Sequence, residues 1–246
     1  MNQNPKISII TVCKNSESTI LKCIESVLNQ SYNNLEYIIV DGVSSDKTIS
    51  IITGFRDKIS KIISEPDSGI YDAMNKGVQA SSGDYILFLN ADDFLISENT
   101  IDNFAEYLSS EKINKADIYF GKVLIFNNEN GIGNLWKAAK VSKYSLFRGS
   151  IPHPATFFKS ESFKKCGLFD ITYKISADYE WFVRALIKYH LTFVRNEIIV
   201  SVFNKGGVST KNSDEIIKNE KKKIHKTYYS FWERMYYNFR WFIKKI

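Results

Sequence analysis

Cysteine is scarce in this chain of 246 residues: there are three, Cys13, Cys23 and Cys166, with no CxxC spacing. An odd, scattered set excludes a disulfide framework and a zinc site, and it suits a reducing, cytoplasmic compartment. Proline and glycine are also few, four and twelve, and 44% of the residues are hydrophobic, so the chain reads as a folded globular protein and not as a linker. Long apolar runs are missing. Ile7 to Cys13 and Tyr37 to Val40 fall far short of the roughly 18 residues that cross a bilayer, so no spanning helix is expected. The N-terminus lacks the basic segment, apolar core and cleavage site of a secretory leader. A glycine-rich phosphate loop is absent as well: where GxGxxG or GxxxxGK(S/T) would stand, the chain reads Cys13-Lys14-Asn15-Ser16.

Positive charge is confined to one end. Residues 211–246 hold ten Lys/Arg against four Asp/Glu, which leaves 23 of each in residues 1–210. A neutral body argues against nucleic acid as a partner, because such a protein spreads positive charge along its binding face.

The first half alternates between two periods. Ile7 to Val12, Leu35 to Val40, Lys61 to Ser64 and Tyr85 to Leu89 read as strands. Between them, helices are expected over Glu17 to Leu28, Thr48 to Phe55 and Ile70 to Ala80. This alternation predicts an α/β fold with a mostly parallel sheet flanked by helices. The second half is less regular. Helices are expected over Thr100 to Leu108 and Asp178 to Tyr189, strands over Asp117 to Phe126, Ala155 to Phe158 and Thr192 to Phe203, and a hairpin turn over Asn127 to Gly131. From Ser213 onward one long helical pattern runs to the end.

Ligands of open parallel sheets bind beyond the carboxyl ends of the strands. Here three strand ends deliver carboxylates: Asp41-Gly42, Glu65-Pro66-Asp67, and Asn90-Ala91-Asp92-Asp93. Acidic groups repel a phosphate unless a divalent cation lies between them. A diphosphate bridged by Mg²⁺ or Mn²⁺ needs only one or two protein carboxylates, and Asp92 and Asp93 fit that role. Plainer readings stand beside it. Asp92-Asp93 also suits a helix N-cap, Asp41 beside Gly42 suits a turn, and Asp178 suits an N-cap before Phe182, Val183 and Leu186.

The motifs as a set resemble family 2 glycosyltransferases of the GT-A fold over about residues 5–210. They are Ile7 to Val12 with Asn15, Ser26 to Tyr32, Glu36 to Gly42 with Ser45, Asp46 and Thr48, Gly69 to Gly77, Gly83-Asp84-Tyr85, Leu89 to Asp93, His153 to Phe158 and Ala177 to Glu180. The resemblance implies a metal-dependent, inverting transfer from a nucleotide-sugar donor, UDP-sugar favoured, to a glycan or lipid-linked acceptor of bacterial-type surface polysaccharide synthesis. It implies that Thr11 and Asp41 contact base and ribose, that Asp67 contacts the nucleotide, and that Asn90-Ala91-Asp92 is the DxD motif with Asp92 on the metal. Asn90 departs from the usual Asp and adds no charge. Asp178 matches the general base of the ED motif, with Ala177 in place of the Glu. His153 is expected to be structural, to line the acceptor side or to touch the diphosphate. Lys205 is a candidate contact of the diphosphate, Tyr71 and Met74 read as core, and Arg184 and Glu180 as a solvated i,i+4 ion pair.

Two rival functions stay open. A sugar-1-phosphate nucleotidyltransferase would need the glycine-rich, basic stretch that Cys13 to Ser18 lacks. A non-catalytic nucleotide- or glycan-binding scaffold is favoured by Ala177 and Asn90. The division into a transferase domain, 1–210, and a basic aromatic tail, 211–246, adds a further expectation. Ile224, Tyr228, Phe231, Met235, Phe239, Phe242 and Ile246 form an apolar stripe flanked by Lys and Arg. Such an amphipathic extension packs on the body or on a second subunit, as in a homodimer, or lies on the inner face of an anionic membrane.

Overall fold

The computed structural model describes residues 4–110, 115–126, 133–204 and 214–243. Strand β1 (Ile7–Cys13) is buried along its whole length. Strands β2 (Leu35–Asp41) and β4 (Tyr85–Phe88) flank it, both parallel to it, and β3 (Lys61–Ser64) lies parallel outside β2. The crossovers carry α1 (Ile20–Leu28), α2 (Thr48–Thr53) and α3 (Ile70–Ala80). Successive side chains of a strand point to opposite faces, so Ile10, Val12, Ile38 and Val40 feed one core while Ile7, Ile9 and Ile39 feed the other. A sheet covered on both sides is the reason these strands read as unbroken apolar runs.

The second half brings the antiparallel pairings. Strand β8 (Thr156–Lys159) runs antiparallel to β4 and to β6 (Ile118–Phe126), and β9 (Phe193–Asn204) runs parallel to β6. The two-residue β5 (Phe94–Leu95) pairs with β9, and β7 (Gly133–Trp136) with β6. The result is one mixed sheet in the order β3-β2-β1-β4-β8-β6-β9-β5. The hairpin turn expected over Asn127 to Gly131 lies outside the described residues. Four helices lie between these strands and around them before the C-terminal segment: α4 (Thr100–Ser109), α5 (Lys143–Arg148), α6 (Ser160–Cys166) and α7 (Ala177–Ile187). Trp181 of α7 is fully buried against Phe158 and Phe163, and its indole N–H donates to Gly167 O at 2.9 Å.

The long helix expected from Ser213 is divided into α8 (Asp214–Tyr228) and α9 (Phe231–Ile243). The break has a local cause. Glu233 Oε2 accepts from Ser230 N at 2.9 Å and Ser230 Oγ accepts from Glu233 N at 3.2 Å, a capping box written as Ser230-Phe231-Trp232-Glu233. Helix α8 belongs to the body, since Ile224 and, just past it, Tyr229 are buried in the same core as α7. Helix α9 instead leaves Phe231, Trp232, Met235, Tyr236, Phe239, Phe242 and Ile243 exposed. It is held by Arg148 against Trp241 and Arg240 against Tyr144, 4.2 and 4.4 Å from the ring centres. Among the described residues no helix is long and apolar enough to cross a membrane.

Candidate active site

A cleft of about 870 Å³ opens beyond β1 and β4, between the N-terminal ends of α3 and α7. Its walls include Asp67, Tyr71, Asn90, Asp92, His153 and Asp178, so the fold gathers six polar residues that lie up to 111 positions apart. Asp67 is placed by the turn before α3, where its Oδ1 accepts from Gly69 N at 2.9 Å. The other oxygen lies against the backbone of Gly42, 2.1 Å from where a Cβ would be. Any residue but glycine at 42 would displace that carboxylate.

Asp41 and Thr11 do not line the cleft. Asp41 is wholly buried, with Oδ2 accepting from Ser44 N at 3.1 Å and from Ser64 Oγ at 2.8 Å, so in this structure it braces the turn after β2. Thr11 is equally buried, its hydroxyl 3.2 Å from Tyr37 Oη. Lys205 lies outside the described residues.

The segment after β4 separates its two carboxylates. Asp92 faces the cleft, and burial raises its pKa while the nearby His153 pulls it back. Asp93 is buried away from the lining, where its Oδ1 accepts a 3.4 Å bond from Asn204 N and its Oδ2 has no partner. Burial and then the charge of Asp92 push Asp93 well above the usual carboxylate range. Of the expected pair, only Asp92 is presented to a ligand. Neither caps a helix, because β5 intervenes and α4 begins only at Thr100.

Asp178 stands on another wall of the cleft, as the second residue of α7 behind Ser176 at the N-cap position. Its Oδ1 accepts from Tyr71 Oη at 2.9 Å, and its Oδ2 lies 3.7 Å from His153 Nδ1. Both Asp178 and His153 keep 18% of their side chains exposed. Tyr71, expected as core, is core only in its ring; its hydroxyl also donates to Ile175 O at 2.6 Å. Burial and then the Asp178 charge raise that hydroxyl well above the usual phenol range. His153 is held below the ordinary imidazole value by burial, opposed by Asp178 and then Asp92, and its Nε2 is buried without a partner. The imidazole is thus electrostatically coupled to both carboxylates and joins the two sides of the site.

The Glu180–Arg184 pair forms, at 3.0 Å, but the expectation of a solvated pair is corrected: Glu180 is 3% exposed. Arg184 Nη2 also donates to Leu168 O at 2.8 Å and Nη1 to Cys166 O, so the guanidinium ties Glu180 to carbonyls at the C-terminal end of α6. Among the described residues no group of three or more His, Cys, Asp or Glu forms a metal cage. The orphaned, buried Asn90 Oδ1 and the cleft-facing carboxylate of Asp92 are hard oxygen donors of the kind a divalent cation shares with phosphate and water.

A helix-flanked mixed sheet with this strand order and carboxylates at its strand ends is a GT-A-like fold. The chain belongs to glycosyl transferase family 2, whose model matches residues 8–164. It is similar to the PGL/p-HBAD biosynthesis glycosyltransferase of Mycobacterium bovis, with 28% identity over 209 residues that cover 83% of this chain and 79% of that one. It is also 30% identical, over 188 residues, to an uncharacterized glycosyltransferase of Mycobacterium tuberculosis, covering 76% and 71% of the two chains. The fold is similar to that of S. aureus TarS 1-349 in complex with UDP-GlcNAc, with a TM-score of 0.70 at 19% identity over 84% of this chain. It is similar too to mannosyltransferase PcManGT from Pyrobaculum calidifontis in complex with GDP-Man and Mn²⁺, with a TM-score of 0.63 at 16% identity over 84% of this chain. The chain spans 61% and 59% of the lengths of those two structures. Family membership sets aside the nucleotidyltransferase reading.

Proposed function

We propose that this glycosyltransferase moves a hexose-type sugar, with inversion, from a nucleotide diphosphate sugar to a hydroxyl of a glycan or lipid-linked glycan, as in bacterial surface polysaccharide synthesis. A UDP-sugar is the favoured donor. The observation that carries this reading is the Asp178 carboxylate, held by Tyr71 in a cleft whose other wall bears Asp67, Asn90 and Asp92. In an inverting displacement the acceptor oxygen attacks the anomeric carbon on the face opposite the departing diphosphate. Asp178 accepts the proton of that hydroxyl at one carboxylate oxygen while Tyr71 donates to the other. Asp67 and Asn90 offer acceptors to the nucleoside, with Thr11 and Asp41 behind them as candidates that would have to be uncovered by a bound donor. His153, with a free Nε2, orients the carboxylate from the second side.

Asn90 and Asp92 would hold a divalent cation, Mn²⁺ or Mg²⁺, which when bound offsets the charge of the leaving diphosphate. A cation held there would favour the ionised form of Asp92, against the burial that raises its pKa. The exposed aromatic face of α9 supports a peripheral seat on an anionic membrane surface that carries the acceptor.

The test is a thermal-shift screen of UDP-sugars and GDP-mannose with and without Mn²⁺. A ligand at 100 times its Kd stabilises by about 2.7 kcal/mol, a shift of several degrees. A shift that grows with Mn²⁺ and favours UDP supports the reading, and no shift with any nucleotide sugar contradicts it. Slow hydrolysis of the donor without acceptor separates an enzyme from a scaffold.

A further inference from the structure

Asp178 is reached by a short segment, Lys174-Ile175-Ser176, whose backbone sets where the carboxylate stands. This segment has no local side-chain partner for its N–H groups, because Ser176 makes no side-chain cap and the Ala177 side chain has no polar atom. Their acceptor comes from 44 positions beyond Ser176. Glu220 of α8 accepts from Lys174 N at 2.6 Å with one carboxylate oxygen, and from Ser176 N at 2.9 Å and Ile175 N at 3.3 Å with the other. Bonds from backbone N–H to a carboxylate are charge-assisted, and a negative group at the start of α7 also matches the helix dipole. On the opposite side Tyr71 Oη bonds both Ile175 O and Asp178 Oδ1. The segment is therefore clamped between α3 and α8. Two further contacts keep α8 in register with α7: His225 Nε2 lies 2.8 Å from Tyr179 Oη, and Tyr228 Oη donates to Glu180.

We infer that Glu220 is a positioning residue of the transfer reaction, and that α8 is a working part of the catalytic body. The inference rests on Asp178 being the base. In the family pattern the residue before the base is Glu; here it is Ala177, and the carboxylate that holds this turn of backbone belongs to Glu220.

The test compares Glu220→Ala and Glu220→Gln with wild type in full-length protein, with Glu220→Asp as the conservative rescue. Three readouts are taken: hydrolysis of UDP-glucose, UDP-galactose and UDP-N-acetylglucosamine with Mn²⁺, calorimetric affinity for UDP, and amide hydrogen exchange over residues 174–178. A misplacement of about 1 Å costs on the order of 10²-fold in rate, so turnover is expected to fall about 10- to 100-fold in the Ala and Gln variants. UDP affinity stays within about two-fold of wild type, exchange at Ile175 and Ser176 quickens, and Asp restores part of the rate. Gln keeps the size of the side chain and carries the test if the Ala variant fails to fold. Faster exchange with unchanged turnover would overturn the inference, as would a loss of UDP affinity equal to the loss of rate. Asp178→Asn is measured in parallel. If it is inactive while the Glu220 variants turn over normally, the inference on Glu220 alone fails. If it is fully active, or if wild type hydrolyses none of the three donors, the underlying reading of the site fails with it.

Discussion

Replacing Tyr71 by Phe removes one oxygen from the wall of the cleft and leaves the packing of the ring intact. That oxygen carries a single proton and serves two acceptors, Ile175 O at 2.6 Å and Asp178 Oδ1 at 2.9 Å. Because burial and the Asp178 charge hold the hydroxyl well above the usual phenol range, it remains a donor throughout the working pH range. A hydrogen bond to a charged acceptor contributes about 1.5–3 kcal/mol, and sharing the proton places this one near the lower end. About 1.5–2 kcal/mol corresponds to a 10- to 30-fold fall in turnover. The loss should fall on turnover and not on donor affinity, since Tyr71 touches the base. Folding stability should drop as well, by about 1–3 kcal/mol, because the Ile175 carbonyl loses its side-chain partner. The assay is the rate of UDP release at saturating donor, beside calorimetric UDP affinity and a thermal melt in the same buffer. A lower melting temperature with unchanged turnover would reduce Tyr71 to a core residue and refute its role in orienting Asp178.

Other consequences follow from the same geometry. Asp92→Ala should abolish the Mn²⁺-dependent part of donor binding in calorimetry while the fold persists; equal affinity in both proteins would remove Asp92 from the metal site. His225 is lowered from the usual imidazole value to about 4, by burial first and then by Lys221, Arg148 and Arg234. The unfolded chain therefore binds this proton at higher pH than the folded one, so the stabilisation is full above about pH 6.5 and is lost as pH falls towards 4. With the ring partly exposed the loss is about 1–2 kcal/mol, and His225→Phe, which keeps the 4.2 Å stack on Phe147, should lose less stability between pH 7.5 and 5 than wild type. Identical pH slopes would clear His225. Truncation after Ser230 removes α9 but spares α8, and should abolish sedimentation with anionic liposomes at low salt while donor hydrolysis continues; unchanged sedimentation, or a switch from dimer to monomer, would assign α9 to packing.

The order of β1 to β4 and of the helices between them was legible because β1, β2 and β4 are buried on both faces and read as apolar runs, β3 adds a half-buried Ile62-Ile63 pair, and the crossover helices repeat at 3.6 residues. The carboxylates at the strand ends were legible for the same reason, since a parallel sheet presents whatever follows each strand. Burial was not. Asp92 and Asp93 are neighbours in sequence, and only tertiary packing decides that one faces the cleft while the other is sealed beneath Asn204. Tyr71 sits in an apolar helical stripe, and the clue to its role is the hydroxyl, which a buried tyrosine must satisfy. The break between α8 and α9 was written in the chain as Ser230-Phe231-Trp232-Glu233, a signature hidden inside a stripe that continues across it. No local signal marks Glu220, because its three partners are backbone N–H groups that every sequence possesses.

The most direct test of the proposed chemistry is Asp178→Asn. The amide matches the carboxylate in shape and still accepts from Tyr71, but it takes up no proton from an acceptor. Donor affinity, measured by calorimetry with Mn²⁺, should equal that of wild type, while turnover falls by about 10²-fold or more, the contribution of a general base. Turnover within a few-fold of wild type in a folded Asp178→Asn protein would place the base elsewhere.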